Sequence, residues 1–521
     1  MPNFSDLLAS KVRANPAFVQ AYDRLQVASL AGLVGKPGAI GEEEARKLAQ
    51  SAVIFAQGSG SAMQGLAQDI AYALAQTSED GLVRAACTQV LNSIGNFPAG
   101  NFLAKRSNAM QDVLPWTMQL DALGREHRNT FEVHDKPVVF TDFQVDVWKQ
   151  LRSNHQAVAI RAPTSAGKSF VLQSYLLDRF AKAASPLSVA YVIPSRALLH
   201  EVQGKLTKQL AGLERKVRVT SVPQAGESAE ELQIFVLTQE RLQTLFDNSE
   251  IRIEELIVDE AQQIADDARG ILLQHCLEEA LARSPSTKLV LLTPGRQDAA
   301  AVARQVGFDD VGVVQSSLRP VRQNLIYCDF NPRSPTDIIL SLHQESGPAL
   351  ALGTLKTDWG FERKESRLVG AAIELGREGQ SLVYAPSKSP AESIATSIAG
   401  YLEPPKDKNG QLKELAEFIK KHIHPKYALA ECVVSGVAFH YGSMPTALTK
   451  ALEEYFDDGL LKYLVCTSTL LHGVNLPARN IFLYRPTRGV DTPLDADGFW
   501  NLAGRGGRMS KDVQGNVFLV D

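Results

Sequence analysis

The rhythm of hydrophobic positions changes along the chain. Over residues 1 to about 130 apolar residues recur at helical spacing, as at Leu82, Val83, Ala86, Val90 and Leu91, in a stretch rich in Ala, Leu and Gln. Gly35-Lys36-Pro37-Gly38 and Phe97-Pro98-Ala99-Gly100 punctuate it. This pattern predicts a helical accessory unit without a chemical constellation of its own. From about Phe140 short continuous apolar runs alternate with helical stretches. Strands are predicted at 157–161, 188–193, 217–222, 233–238, 255–259 and 288–293. Continuous apolar character suits strands buried on both faces of a parallel sheet, and alternation with helices predicts an open α/β unit. Residues 320–365 carry several Pro, Gly and charged residues, including Asn331-Pro332-Arg333-Ser334-Pro335, and read as a boundary with some connecting structure. A second α/β series follows, with strands predicted at 381–385, 433–439, 462–466, 480–484 and 516–520. The charged stretch Glu403-Pro404-Pro405-Lys406-Asp407-Lys408-Asn409-Gly410 reads as a surface loop.

Composition narrows the classes. The 521 residues allow about three domains at the usual ~100–200 residues each. Hydrophobic residues at 45% and charged residues at 21% argue for a folded chain over most of its length. The net charge of -4 excludes a globally basic nucleic-acid coat, so any such site must be a local positive groove. Cys87, Cys276, Cys328, Cys432 and Cys466 are scattered, odd in number and without a C-x-x-C pair. They read as buried reduced thiols of a cytoplasmic protein rather than a disulfide or zinc framework. Neither a secretory leader nor an apolar run of about 18 residues is present, so no membrane partner is expected.

The densest chemistry is Ala162-Pro163-Thr164-Ser165-Ala166-Gly167-Lys168-Ser169, between a predicted strand and a predicted helix. That is the strand–loop–helix setting of a phosphate-binding loop, although Ala162 replaces the first glycine. Backbone N–H groups of Thr164, Ser165, Ala166 and Gly167 would cradle phosphates, Lys168 would reach the β- and γ-phosphates, and Ser169 would sit on Mg²⁺. Downstream, Leu256-Ile257-Val258-Asp259-Glu260-Ala261-Gln262 runs an apolar strand into two carboxylates. Strand ends of this kind collect ligands in open α/β sheets. Asp259 would bind Mg²⁺ through water, and Glu260 would orient the attacking water.

Two further stretches carry a family resemblance. They are Cys466-Thr467-Ser468-Thr469-Leu470-Leu471-His472-Gly473-Val474-Asn475-Leu476-Pro477-Ala478 and Asn501-Leu502-Ala503-Gly504-Arg505-Gly506-Gly507-Arg508. With the phosphate loop and Asp259-Glu260-Ala261-Gln262, the chain from about residue 138 to 521 resembles superfamily-two helicases, most closely the Ski-type group. The resemblance implies two tandem RecA-like parallel-sheet lobes preceded by an α-helical N-terminal domain. The expected division is 1–130 helical accessory domain, 131–325 ATP-binding lobe one, and 326–521 lobe two with a linker at its start.

The resemblance also implies roles. Gln144 stands where relatives read adenine, and equally where a polar residue opens a helix. Pro194 and Arg196, in Pro194-Ser195-Arg196-Ala197-Leu198, and Thr238, in Thr238-Gln239-Glu240-Arg241, match motifs that hold a phosphodiester backbone. Thr467 and Thr469 would face nucleic acid; Gly473 and Asn475 would face the nucleotide. Arg505 and Arg508 would enter the ATP site from lobe two and stabilise charge on the γ-phosphate. Tyr384-Ala385-Pro386-Ser387-Lys388 and Phe439-His440-Tyr441-Gly442-Ser443 resemble motifs bordering the strand. Gln262 stands where the group usually has His, Asn501 where it commonly has Gln, and Leu292-Thr293-Pro294-Gly295 replaces a Ser/Thr-Ala-Thr motif.

The activity so implied is ATP- and Mg²⁺-dependent 3′→5′ movement on a single strand of nucleic acid. Relatives usually continue into a winged helix and a ratchet domain, so either this is a fragment or strand separation depends on something else. Three alternatives stand beside it: a nucleotide-gated clamp or remodeller without processive unwinding, an RNA-decay or DNA-repair helicase, and an ordinary P-loop kinase or transporter-type ATPase. The helical N-terminal domain on this core also looks like bacterial anti-phage defence helicases of Hachiman type, which pair with a nuclease-like subunit.

Overall fold

A computed structural model of the chain describes residues 4–107, 114–163, 166–224, 231–265, 267–294, 299–331, 333–334, 336–345, 347–361, 364–405, 407, 409–467, 476–488, 492–507 and 512–521. The N-terminal stretch is helical, with α-helices Phe4–Arg13, Pro16–Leu30, Glu42–Ala56, Ser61–Thr77, Gly81–Ser93, Phe97–Ser107 and Trp116–Arg128. Phe97-Pro98 opens a helix rather than breaking one, because a first-turn proline gives up an N–H that the helix leaves unpaired anyway. Asn15 and Asp80 cap their helices with side-chain oxygens. The first six of these helices share a core around Phe18, Phe55, Ile70, Leu74 and Leu91, while Trp116–Arg128 buries no residue.

A hairpin of β1 (Thr130–Val133) and β2 (Lys136–Val139) leads into the first sheet. That sheet comprises β3 (Ala157–Arg161), β4 (Leu187–Val192), β5 (Arg218–Thr220), β6 (Leu232–Leu237), β7 (Glu255–Val258), β8 (Lys288–Thr293) and β9 (Val311–Gln315). It is parallel throughout, in the order β5-β6-β4-β7-β8-β3-β9. Strands β4, β6 and β7 are buried along their whole length, and the two faces of the sheet feed separate cores. Burial on both faces is why the sequence shows unbroken apolar runs here.

The second sheet contains β10 (Arg322–Phe330), β11 (Asp337–Leu342), β12 (Leu350–Lys356), β13 (Ser381–Tyr384), β14 (Val437–His440), β15 (Tyr463–Cys466) and β16 (Asn480–Tyr484). The short strands β17 (Thr487–Arg488) and β18 (Thr492–Pro493) pair with each other, and β19 (Gln514–Val520) completes the sheet. Its order is β12-β11-β10-β19-β16-β13-β15-β14, parallel except for the antiparallel β10-β11-β12 end. Asn324 on β10 donates at 3.0 Å to both Gln514 and Asn516 on β19, and Asn516 donates at 3.2 Å to Asn480 on β16. This buried amide ladder pins the register, since a slipped strand would strand polar groups in the core.

Two sequence expectations change. Residues 320–365 hold three sheet strands, not only connecting structure. Burial alternates along β10, so its polar positions broke the apolar run that signalled strands elsewhere. The strand expected at 433–439 is a helix, Ala428–Val434, then a turn with Gly436 at φ 73°, then β14. Leu30 and Val34 of the N-terminal helical stretch join the core of the second sheet.

Candidate active site

The first sheet gathers the predicted chemistry at its strand ends. β3 runs into the phosphate loop, where Ala162 N–H donates to Thr293 O at 3.2 Å and Ala166 N–H to Pro163 O at 3.0 Å. Gly167, at φ 80°, turns the chain into helix Lys168–Ala181; that left-handed conformation suits glycine. Lys168 is buried at the helix start, and Nζ donates to the carbonyls of Ala162 at 2.6 Å and Pro163 at 3.1 Å. Ser169 beside it is exposed. Gln144 closes a capping box with Thr141, accepting from Thr141 N–H at 3.0 Å, and extends Nε2 to Gly167 O at 3.5 Å. It therefore does serve as a helix-start residue, and it does so against the phosphate loop.

Asp259 and Glu260 follow β7, whose other end is anchored by Glu255 accepting from Arg179 Nε at 2.8 Å and Tyr175 OH. Glu260 N–H donates to Asp259 Oδ1 at 3.0 Å. Glu260 itself sits at φ 55°, a rarely used conformation for a side chain of its size. Gln262 Nε2 donates to Glu260 Oε2, while Gln262 Oε1 is buried with no partner among the described residues.

Charges in this group act on one another. Burial lowers the pKa of Lys168, against the opposing pull of Glu260 and Asp259. Burial and the neighbouring Glu260 push Asp259 up to about 7, with Lys168 pulling the other way. Arg505, in the turn after helix Ala496–Ala503, is brought from the second sheet to this cluster. Burial lowers its pKa while the carboxylate of Glu260 supports its charge. Its Nε and Nη1 are buried without a hydrogen-bond partner among the described residues. A guanidinium with two buried, unpartnered donors and a carboxylate coupled to its charge fits an anionic ligand. The adjacent Asp259 and Glu260 oxygens and the exposed Ser169 hydroxyl fit a hard divalent cation, which would favour the ionised form of Asp259.

The strand-contact candidates lie at neighbouring strand ends. Pro194 follows β4, Thr238 follows β6 and Thr467 follows β15; all three are buried. Arg196 begins helix Arg196–Leu210, capped by Ser195. Thr467 N–H donates to His440 O at 3.3 Å, placing the β14 and β15 ends side by side. Thr164, Ser165, Thr469, Gly473, Asn475 and Arg508 lie outside the described residues.

Sequence reasoning missed Arg269. Its Nη2 donates to Pro194 O at 3.0 Å, and its guanidinium pairs with Glu240 at 3.1 Å and reaches the amide oxygen of Gln239. It thus ties the turn after β4 to the turn after β6. A lone arginine on a helix gives no local signal of such a role. Glu201, on helix Arg196–Leu210, also contributes charge to Asp259 and Arg505.

The first α/β unit carries a phosphate loop and an acidic strand end, and the second an arginine whose charge couples to Glu260. Residues 141–296 match the DEAD/DEAH box helicase family. The chain is 27% identical over 374 residues to the ATP-dependent DNA helicase Hel308 of Aeropyrum pernix, covering 70% of this chain and 48% of that protein. It is 26% identical to the DExH-box ATP-dependent RNA helicase DExH13 of Arabidopsis thaliana, covering 70% of this chain and 17% of the relative. It is 27% identical to DNA polymerase theta of Caenorhabditis elegans, with 73% and 24% covered. The chain spans about half the length of the Hel308 relatives it matches. Over these spans the chain is similar to superfamily-two helicases. Among the described residues no helix is long and apolar enough to cross a membrane.

Proposed function

We propose that the chain hydrolyses ATP between its two sheet-bearing units and couples each turnover to 3′→5′ movement along one strand of nucleic acid. The observation that carries the reading is Arg505: two of its guanidinium nitrogens are buried and unpartnered among the described residues, and its charge couples to Glu260. In this reading the phosphate loop and Lys168 bind the triphosphate, Glu260 orients water under the hold of Gln262, and Arg505 with Arg508 stabilises charge on the γ-phosphate. Ser169 and Asp259 would hold Mg²⁺, which neutralises phosphate charge when bound. Pro194, Arg196, Thr238, Thr467 and Thr469 belong to the turns that grip the phosphodiester backbone, and such grip gives weak sequence preference and strong salt dependence.

Residues 1–130, 131–325 and 326–521 act as accessory, ATP-binding and completing units in this account, supported by the separate sheet memberships. An antiviral setting with a nuclease-like partner is its most specific form, and it rests on the helical N-terminal unit alone. The test is ATP turnover with single-stranded DNA, single-stranded RNA, forks and blunt duplexes, together with strand displacement. Stimulation by a single strand and displacement of a fork are expected. Stimulated turnover without displacement would make the chain a nucleotide-gated clamp; no stimulation by any nucleic acid would sink the reading.

A further inference from the structure

The connector between the two sheets, from Ser316 to Val321, is held from one side by the helical N-terminal unit. Gln68 Nε2 donates to Arg319 O and Tyr72 OH to Pro320 O. Asn96 Nδ2 supports both, reaching Gln68 Oε1 at 3.0 Å, Tyr72 OH at 3.1 Å and Pro320 O at 3.3 Å. Gln68, Tyr72 and Asn96 are all buried, so these bonds form where water cannot replace them. Two residues beyond Pro320, Arg322 Nη1 donates to Ser29 Oγ at 3.2 Å. The helical unit therefore sets the path of the backbone that joins the two halves of the ATP site.

The side chain of Arg319 reaches Trp500. Its guanidinium lies 4.7 Å from the ring centroid of Trp500. Trp500 is 41% exposed and belongs to helix Ala496–Ala503. Gly504 N–H donates to Trp500 O at 2.8 Å, so the turn that presents Arg505 is closed on Trp500 itself. Partial burial lowers the pKa of Arg319, and Asp69 of the helical unit and Glu345 support its charge.

We infer that Arg319 is a positioning residue: held by the helical unit at its carbonyl and by Trp500 at its guanidinium, it sets where Arg505 stands relative to Glu260. This rests on the ATPase reading above and gives the N-terminal helices a part in it. They fix the connector, the connector fixes the Trp500 helix, and that helix fixes the arginine. In this arrangement Trp500 and Arg319 act through Arg505.

The experiment uses the whole chain with Trp500→Ala, Trp500→Phe, Arg319→Ala and Asp69→Asn. It measures kcat and KM for ATP, affinity for a fluorescent ATP analogue, and thermal melting. Losing the cation–ring contact in Trp500→Ala or Arg319→Ala should lower kcat roughly fivefold. KM and analogue affinity should change much less than kcat, because Lys168 lies in the other unit and keeps its hold on the phosphates. Trp500→Phe keeps a ring and should recover most of the rate. Asp69→Asn should lower kcat in the same direction, and melting should stay near wild type throughout. Wild-type kcat in Trp500→Ala, equal losses in Trp500→Ala and Trp500→Phe, or affinity falling in step with kcat would overturn the inference. So would an unchanged kcat in Asp69→Asn. Arg505→Ala separates the two levels: if it abolishes turnover while Trp500→Ala keeps the wild-type kcat, only this inference fails. A wild type without turnover removes the ATPase reading and this inference together.

Discussion

Arg269 donates to the carbonyl of Pro194 at 3.0 Å, joining a helix that follows the acidic strand end to the turn after β4. The same guanidinium pairs with Glu240. Removing it leaves two strand-end turns without their common tie, while Lys168, Asp259 and Glu260 keep their own partners. Arg269→Ala should therefore raise the apparent KM for a single strand by roughly three- to tenfold, from the loss of one or two charge-assisted hydrogen bonds. Titration of ATP turnover against oligonucleotide concentration reads this directly. A variant with the wild-type dependence on oligonucleotide would remove Arg269 from the grip.

Lys168→Ala should abolish ATP turnover, since no other described cation stands in the phosphate loop. Glu260→Gln should bind nucleotide but trap the closed form, and Arg505→Ala should lower kcat by about 10³ or more. A steady-state phosphate-release assay with a nucleotide-binding control distinguishes the three. Wild-type turnover in Lys168→Ala or Glu260→Gln would undo the site.

Nucleotide should stabilise the protein by supplying the partner that Arg505 lacks. At a ligand concentration 100 times Kd the gain is about 2.7 kcal/mol. Melting with a non-hydrolysable ATP analogue should show a smaller rise in Tm for Arg505→Ala than for wild type at the same concentration. Equal shifts would place the guanidinium outside the nucleotide's reach.

Gly515 on β19 faces the backbone of Gly506 and Gly507, and a Cβ there would fall well inside van der Waals contact with both. Neither side of that contact can swing aside as a long side chain could. Gly515→Ala should destabilise the chain by about 1–3 kcal/mol. It should also depress kcat, because the displaced turn is the one that follows Arg505. Denaturant unfolding and turnover on the same preparation test the pairing.

All five cysteines are buried and free. Burial pushes the thiols of Cys87 and Cys276 up to about 12 and that of Cys432 up to about 11. Thiolate is therefore scarce at neutral pH, and the folded protein should resist an aromatic disulfide reagent. Five equivalents should react after denaturation. Rapid reaction of one thiol in the folded state would reveal an opening of the corresponding core.

Much of the first unit was legible because burial on both faces writes itself as unbroken apolar runs. β3 matches its predicted span, and Asp259-Glu260 stands where an apolar run meets acids at a strand end. β10 to β12 were not legible, since their half-exposed alternation and buried Arg322 and Asn324 imitate a polar linker. The strand expected at 433–439 failed because apolar residues on both sides of Gly436 serve a helix and a strand in turn. Within the site, Lys168, Asp259, Glu260 and Arg505 could be named from motifs. Arg269, Trp500 and Arg319 could not, since each acts through a contact distant in sequence and no local spacing encodes it.

The central place of β19 has a consequence for synthesis. It lies between β10 and β16, and both of those strands leave the ribosome before it does. Until β19 emerges, two groups of strands in the second sheet have no interior seam to join along, and the arginine-bearing turn has Ala478 but not Gly515 to rest on. The phosphate loop can take shape far earlier, because β3 to β9 form their sheet without help from later residues. A nascent chain thus carries a ready lysine cradle well before it gains the opposing cation, whose turn is completed only when β19 is threaded between β10 and β16.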